Sequence, residues 1–185
     1  MKFLKFLIII FISINLPVKA DLNQNLVKEL KKGGNLIFIR HALAPGGGDP
    51  DNFDINDCST QRNLNIDGIE QSKKIGNFFK QHEIPIDKTI SSQWCRCKDT
   101  ALIAFSDYKT ENFLNSFFSE KLRINKELQM KNLKSYVKKW DKKKNLILVT
   151  HYVVILEAIN YAASSGEIVV SDTKFKLIGS ISNIK

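Results

Sequence analysis

The chain has 185 residues, of which 43% are hydrophobic and 25% are charged, and its formal net charge is +9 at pH 7. This length is enough for one domain with a buried core. The positive charge favours anionic partners. The basic residues are scattered through predicted helices and are not interleaved with aromatic residues, so we expect a lysine-rich surface and no nucleic-acid partner.

The N-terminal residues have the pattern of a secretory signal peptide. Two lysines precede the apolar segment 6–16, which is too short to span a bilayer, and residues 18–20 offer small side chains at the expected cleavage position. We therefore expect residues 1–20 to be removed, which lowers the net charge from +9 to +6. Residues 21–185 would then form a periplasmic or secreted domain without a stable membrane span. An uncleaved N-terminal anchor is the alternative.

Apolar runs and amphipathic patterns alternate along the rest of the chain. A polar, glycine-rich loop of about 20 residues follows His41 and has the length of a functional loop. Asp67 and Glu70 predict a capping pair at the start of the second helix. The alternation predicts an α/β fold, a three-layer sandwich with a mostly parallel central sheet flanked by helices. The patterns predict helices over 22–32, 65–82, 95–105, 125–140 and 153–163, and strands over 36–39, 89–92, 113–114, 145–150, 166–170 and 175–181.

Residues suited to phosphate chemistry follow three of these strands. The first strand ends in Arg40 and His41, the strand 145–150 ends in His151, and Arg96 comes four residues after a third strand. The carboxyl ends of parallel strands share one edge of a sheet, so these side chains are expected to converge. Arginine binds phosphate through its planar fork, and histidine acts as a nucleophile or an acid and base. Together they predict a site for a dianion with a nucleophile.

Four motifs in the same order resemble those of the histidine phosphatase (phosphoglycerate-mutase-like) superfamily. The resemblance covers roughly 35–170, and further motifs at 57–58, 94–97 and 165–167 are similar to an exported bacterial branch. It implies an exported phosphomonoesterase that works through a phosphohistidine, with 21–185 as its catalytic domain. The four motifs are Leu36–Ala42, Leu64–Gln71, Ser91–Ala101 and Val149–His151.

The resemblance also assigns roles to individual residues. His41 would attack phosphorus, Arg40 and Arg96 would bind the phosphoryl oxygens, and His151 would hydrogen-bond to them. Arg62 is a further candidate for phosphate binding. No metal and no cofactor are required where arginines supply the charge. The partner would be a small phosphorylated substrate, and a cell-envelope phosphosugar fits the location.

The residue that would protonate the leaving group is not fixed by these motifs. Tyr152 follows His151 at the position where the acid-phosphatase branch has an aspartate. Glu120 and Glu167 are equal candidates for the general acid, and Asp49 and Asp57 rank below them. Two alternative functions remain open at this point. One is a phosphomutase, against which export argues, and the other is a degenerate member that binds a phosphorylated ligand without turnover.

Three cysteines in an exported chain predict a disulfide. Cys95 and Cys97 are too close in sequence to bond easily to each other, so Cys58 is expected to pair with one of them. Cys97 occupies a position where the superfamily has an inward-packing alanine, and the resemblance therefore favours Cys95. A zinc site is a weak rival because no histidine lies near these cysteines.

Overall fold

The part of the chain that a computed structural model describes, residues 18–182 and 184, contains six strands and six α-helices. Most of the predicted signal peptide lies outside these residues. Within them, no helix combines the length and the apolar composition that crossing a membrane requires. The helices are α1 (Val18–Lys32), α2 (Ile66–Gln81), α3 (Cys95–Phe105), α4 (Glu120–Arg123), α5 (Lys126–Lys139) and α6 (Tyr152–Ile159). The strands are β1 (Leu36–Arg40), β2 (Ile86–Ser91), β3 (Lys109–Thr110), β4 (Asn145–Thr150), β5 (Ile168–Ser171) and β6 (Leu177–Ile181).

All six strands belong to one mixed sheet with the order β3-β2-β4-β1-β5-β6. The four strands β3, β2, β4 and β1 pair in parallel, whereas β5 is antiparallel to β1 and β6 is antiparallel to β5. The central pair, β4 and β1, is therefore flanked on both sides. The predicted α/β fold with a mostly parallel sheet is confirmed.

Both faces of the sheet are covered by helices. Leu36 and Phe38 of β1 point into a core that includes side chains of α5 and α6. Ile37 and Ile39 point to the opposite face, into a core with α1, α2 and α3. All four side chains are fully buried. This explains why β1 reads as an uninterrupted apolar run, as strands covered on both faces do.

The strand predicted at Phe113–Leu114 was wrong. These residues lie in a 3-10 turn at Asn112–Leu114, and the two-residue strand β3 takes the sheet edge instead. Both side chains are buried in the core with α5, and the Leu114 carbonyl accepts a hydrogen bond from Thr150 Oγ1 at 2.6 Å. The apolar side chains of Phe113 and Leu114 are therefore explained by burial in the core, although these residues do not pair with a neighbouring strand.

The second helix begins where it was predicted, but the capping pair predicted for it was wrong. The N-cap is Asn65, whose side-chain oxygen accepts a hydrogen bond from the Gly68 amide at 2.9 Å. Glu70 forms an exposed ion pair with Lys73 at 2.6 Å and takes no part in capping. At the other end of the chain, α6 stops at Ile159, four residues earlier than predicted, because Asn160 adopts a left-handed conformation with φ 53°.

Gly68 holds α2 against the loop that follows β1, and it supports a stability prediction. A Cβ at this position would lie 2.1 Å from the Leu43 carbonyl oxygen, a backbone atom that cannot move aside freely. We therefore expect Gly68→Ala to lower the free energy of unfolding by about 1–3 kcal/mol. Denaturant unfolding measures this loss. Gly47→Ala is the matched control, since a Cβ there has nothing within 4 Å, and equal stabilities of the two variants would contradict the packing argument.

Candidate active site

His41 lies at the carboxyl end of β1, buried and held in one tautomer. Its Nδ1 is 2.8 Å from the Ala42 carbonyl oxygen, and a carbonyl only accepts, so Nδ1 carries the hydrogen. Nε2 is therefore the unprotonated nitrogen, and it accepts a hydrogen bond from Arg96 Nε at 3.2 Å. Burial, and next the charge of Arg96, lower the pKa of His41 to about 3. At neutral pH its Nε2 is unprotonated, and its electron pair accepts the hydrogen bond from the Arg96 guanidinium.

This lowered pKa predicts a loss of stability in mild acid. The unfolded chain binds a proton on His41 near pH 6.5, and the folded chain does so only near pH 3. The contribution of neutral His41 to stability is thus complete above pH 6.5 and declines as the pH falls. Between pH 7 and pH 5 the loss is about 2 kcal/mol. Denaturant unfolding at both pH values should show it, and the His41→Gln variant should show a smaller loss; identical pH dependence in the two proteins would contradict it.

Arg96 is buried in the first turn of α3 and connects His41 to a carboxylate. Its Nη1 and Nη2 donate to the two oxygens of Asp49 at 2.6 and 3.1 Å, and Nη1 also donates to the Arg62 carbonyl at 3.2 Å. Thr100, one turn further along α3, accepts from the Ala42 amide at 3.0 Å and donates to the Arg96 carbonyl at 2.7 Å. These contacts fix the arginine beside the histidine.

Two more arginines face the same cavity. Arg40 donates from Nη1 to the Ala163 carbonyl at 2.9 Å, while its buried Nε has no hydrogen-bond partner within the described chain. Arg62 donates from Nε to the Gly48 carbonyl at 2.8 Å. Burial is the main cause that lowers the pKa of both guanidinium groups, and the positive charge of Arg96 adds to it. Among the described residues, only Arg96 of the three forms an ion pair, so the site has an excess of positive charge.

His151 brings a second buried imidazole to the site from the end of β4. Its ring centroid lies 5.5 Å from that of His41, with the rings edge to face. Its Nε2 is 2.9 Å from Ser92 Oγ and 3.5 Å from Cys97 Sγ. Burial, and next the charge of Arg96, hold the pKa of His151 well below its usual value. Both histidines are therefore neutral near pH 7.

The cavity that these groups line has a volume of about 630 Å³. The predicted residues Arg40, His41, Arg62, Arg96 and His151 all line it, so the structure brings them to one edge of one sheet. Aromatic side chains complete its lining, namely those of Phe53, Trp94, Phe118 and Tyr152. The cavity thus combines cationic and imidazole groups with apolar surface. His82, in contrast, lies at the end of α2 with its ring against Phe78 and does not line the cavity.

The structure does not bring the two leading candidates for the general acid into this cavity. Glu120 is exposed on α4. Glu167 is buried and accepts hydrogen bonds from the Tyr161 hydroxyl at 2.7 Å and the Ser164 amide at 2.8 Å, which makes it part of the turn before β5. The carboxylates that line the cavity within the described residues are Asp49 and Asp51. Of the two weaker candidates, Asp57 is exposed and caps a 3-10 turn through Ser59, whereas Asp49 lies at the centre of the site.

The predicted disulfide joins Cys58 to Cys95, with their Cα atoms 5.7 Å apart. It ties the long loop after β1 to the first residue of α3, directly beside Arg96. Cys97 is a free, buried thiol, and burial raises its pKa to about 12. The pairing favoured by the resemblance is the one the structure contains. Within the described residues, no group of three or more His, Cys, Asp and Glu side chains forms a potential metal site.

Sequence reasoning missed two residues that shape the site. Trp94 donates from Nε1 to Asp49 Oδ2 at 3.0 Å and packs edge to face with His151. Asn115 accepts hydrogen bonds through Oδ1 from Ser92 Oγ at 3.1 Å and from the Gln93 amide at 2.9 Å. Trp94 belongs to the motif 94–97 that the resemblance includes, and its position two residues before Arg96 could have indicated that it lies at the site. The asparagine stands in an irregular segment whose sequence offers no such signal.

Comparison with solved structures places this architecture among known folds. One match is the protein histidine phosphatase SixA complexed with tungstate, at 13% identity and a TM-score of 0.55, covering 80% of this chain and 96% of that one. The chain has the histidine phosphatase fold. Another match is the alpha-ribazole phosphatase from Shigella flexneri, at 14% identity and a TM-score of 0.53, covering 75% and 90%. The open reading frame Rv3214 from Mycobacterium tuberculosis matches at 14% identity and 0.54, covering 74% and 89%. The sequence matches no protein-family model and no curated protein.

Proposed function

We propose that this protein is a phosphomonoesterase that forms a phosphohistidine on His41. The observation that carries the proposal is the unprotonated Nε2 of His41, fixed in its tautomer by the Ala42 carbonyl and directed at Arg96 inside a cavity. A neutral imidazole with a free electron pair is a competent nucleophile toward phosphorus. The Arg96 guanidinium beside it provides positive charge that stabilises the negatively charged phosphoryl group.

The reaction proceeds in two displacements. In the first, His41 Nε2 forms a bond to phosphorus as the ester P–O bond breaks, and the alcohol leaves. In the second, a water oxygen forms a bond to phosphorus as the N–P bond breaks, and inorganic phosphate leaves with His41 restored. Arg40, Arg62 and Arg96 surround the phosphoryl oxygens, where charge stabilisation and positioning supply most of the catalysis. No metal ion takes part in these steps.

Several observations support this assignment beyond the nucleophile. The unpaired donor of Arg40 and the excess of guanidinium groups suit a dianionic ligand. Two proteins of the same fold are described as phosphatases, and one of them was solved with tungstate, a tetrahedral oxyanion. The aromatic part of the cavity lining offers contacts for the organic part of an ester.

Export is the second part of the proposal. The lysines and the apolar segment at the N-terminus support a signal peptide, and the disulfide between Cys58 and Cys95 supports an oxidising compartment. The substrate is then a small phosphorylated molecule of the cell envelope, such as a phosphosugar. Intact-mass measurement of the protein from its host tests the processing step, with an N-terminus near Asp21 expected.

The catalytic part is tested by phosphate release from an aryl phosphate and an alkyl phosphate in the presence of a chelator. We expect turnover of both esters and unchanged rates without the chelator. His82→Ala is the control, since this histidine lies outside the cavity, and it should keep the wild-type rate. Binding of inorganic phosphate without any turnover would instead favour a non-catalytic phosphate-binding protein. Transfer of phosphate between two positions of a substrate would favour a phosphomutase.

A further inference from the structure

The Asp49 carboxylate forms an ion pair with Arg96, the arginine that the proposed reaction needs to bind the phosphoryl group. Its carboxylate takes both terminal nitrogens of Arg96, at 2.6 and 3.1 Å, while Arg96 Nε stays on His41. A phosphoryl group that reaches Nε2 of His41 must therefore share or take over these donors. Substrate and Asp49 therefore compete for one guanidinium, which contacts the nucleophile through Nε and the carboxylate through Nη1 and Nη2.

Two further donors keep Asp49 in the cavity when Arg96 turns to the substrate. Trp94 Nε1 donates to Oδ2 at 3.0 Å, and the Arg62 amide donates to Oδ1 at 3.2 Å. The indole is buried, with 2% of Trp94 exposed, and stacks against Phe53 with ring centroids 5.0 Å apart. Neither donor is part of the guanidinium set that binds the phosphoryl group. The carboxylate is therefore held in the cavity independently of Arg96.

The balance of forces on Asp49 changes when substrate binds. Burial is the largest influence and raises the pKa of Asp49, but the hydrogen bonds and charge of Arg96, with help from Trp94 and the Arg62 amide, leave it below its usual value. The groups that face the carboxylate are the guanidinium groups of Arg96 and Arg62 and, at longer range, the Cys97 thiol. Once a phosphoryl dianion takes Arg96, burial remains and a negative charge is added, and both favour a protonated carboxyl against the remaining hydrogen bonds from Trp94 and the Arg62 amide.

We propose that Asp49 is the general acid of this site, released from Arg96 by the substrate's own phosphoryl group. The inference rests on the phosphohistidine mechanism proposed above. Asp49 takes up a proton from solvent as the substrate displaces it from Arg96, and in the first displacement this proton passes to the leaving oxygen as the P–O bond breaks, which gives the neutral alcohol and the Asp49 carboxylate. In the second, the carboxylate takes a proton from the attacking water as the N–P bond breaks. Asp51, the other carboxylate that lines the cavity, is exposed and forms no hydrogen bond to the site residues.

The experiment compares kcat/KM for an alkyl phosphate and for 4-nitrophenyl phosphate in wild type, Asp49→Asn, Asp51→Asn and Asp57→Asn. An alkoxide is a poor leaving group that needs a proton, whereas nitrophenolate hardly needs one. We expect Asp49→Asn to lose about 100-fold or more on the alkyl ester, and less than about tenfold on the aryl ester. Asp57→Asn, in the same loop but outside the cavity, is the control and should match wild type. The ratio of the two constants is independent of the folded fraction, so partial misfolding cannot imitate the result.

The outcomes separate this inference from the function on which it rests. Equal losses on both esters, or a gain on both, would overturn the role of Asp49 as acid while wild-type turnover still supported the phosphatase. Selective loss of the alkyl ester in Asp51→Asn instead of Asp49→Asn would overturn it as well. A wild-type protein that hydrolyses neither ester would overturn the proposed function itself, and the role of Asp49 with it.

Discussion

His41→Ala is expected to reduce phosphate release from any ester by more than about 1,000-fold, since removal of the nucleophile from a catalytic unit abolishes nearly all of its effect. The side chain is the only imidazole in the described chain whose Nε2 is hydrogen-bonded to Arg96, and Ala42 fixes its tautomer. His151 is not expected to replace it, because its Nε2 is hydrogen-bonded to Ser92 Oγ and not to an arginine that binds the phosphoryl group. Steady-state rates with 4-nitrophenyl phosphate measure the loss.

Binding and folding controls separate chemistry from structure in this variant. Because the three arginines remain, His41→Ala should still bind inorganic phosphate, which can be followed by calorimetry. Denaturant unfolding should show a folded protein. Rates that stay within about tenfold of wild type would contradict the role of His41, since a lost nucleophile costs far more.

Arg96→Ala is expected to lower kcat/KM by about 100- to 1,000-fold, the usual effect of losing one preorganised charge donor. The guanidinium is 3% exposed and is the charged group in contact with both His41 and Asp49. Its removal leaves the phosphoryl charge unmatched on that side and the Asp49 carboxylate without its ion pair. Inhibition by inorganic phosphate should weaken along with catalysis.

Two comparison variants make the arginine result specific. Arg96→Lys keeps the positive charge but loses the bidentate hydrogen bonding of the guanidinium, so its rate should fall between those of wild type and the alanine variant. Arg123→Ala removes an exposed arginine of α4 that does not line the cavity, and it should keep the wild-type rate. A rate in Arg96→Ala equal to that of Arg123→Ala would exclude Arg96 from the phosphate site.

The sheet and the convergence of the site could be predicted because both follow from local pattern. The apolar runs before His41 and His151 are covered on both faces, which is what an uninterrupted run indicates. Parallel pairing of β1 with β4 then brings the two histidines to one edge, and the His41 amide bonds to the Thr150 carbonyl at 2.9 Å. The edge strand β6 was predicted as well, but the other edge strand, β3, was not, since its two residues Lys109–Thr110 carry no periodicity.

The place of Asp49 could not be predicted because it depends on contacts distant in sequence. Its position in the cavity is set by Arg62, Trp94 and Arg96, which are 13, 45 and 47 residues away along the chain. The disulfide between Cys58 and Cys95 fixes the same loop from outside the cavity. A pattern of glycines and aspartates in a loop indicates none of the three contacts of Asp49. Glu167, in contrast, lay in a recognised motif, but its role in the turn before β5 is structural.

Trapping the covalent intermediate gives the sharpest test of the phosphohistidine mechanism. The full-length protein would be mixed with an aryl phosphate labelled in its phosphoryl group, quenched with alkaline denaturant during turnover, and mapped by peptide mass spectrometry. The proposed mechanism predicts label on His41 that survives alkali, is released by acid and is absent from the His41→Ala variant. Rapid turnover with no label on the protein, or with label on any residue other than His41, would contradict it.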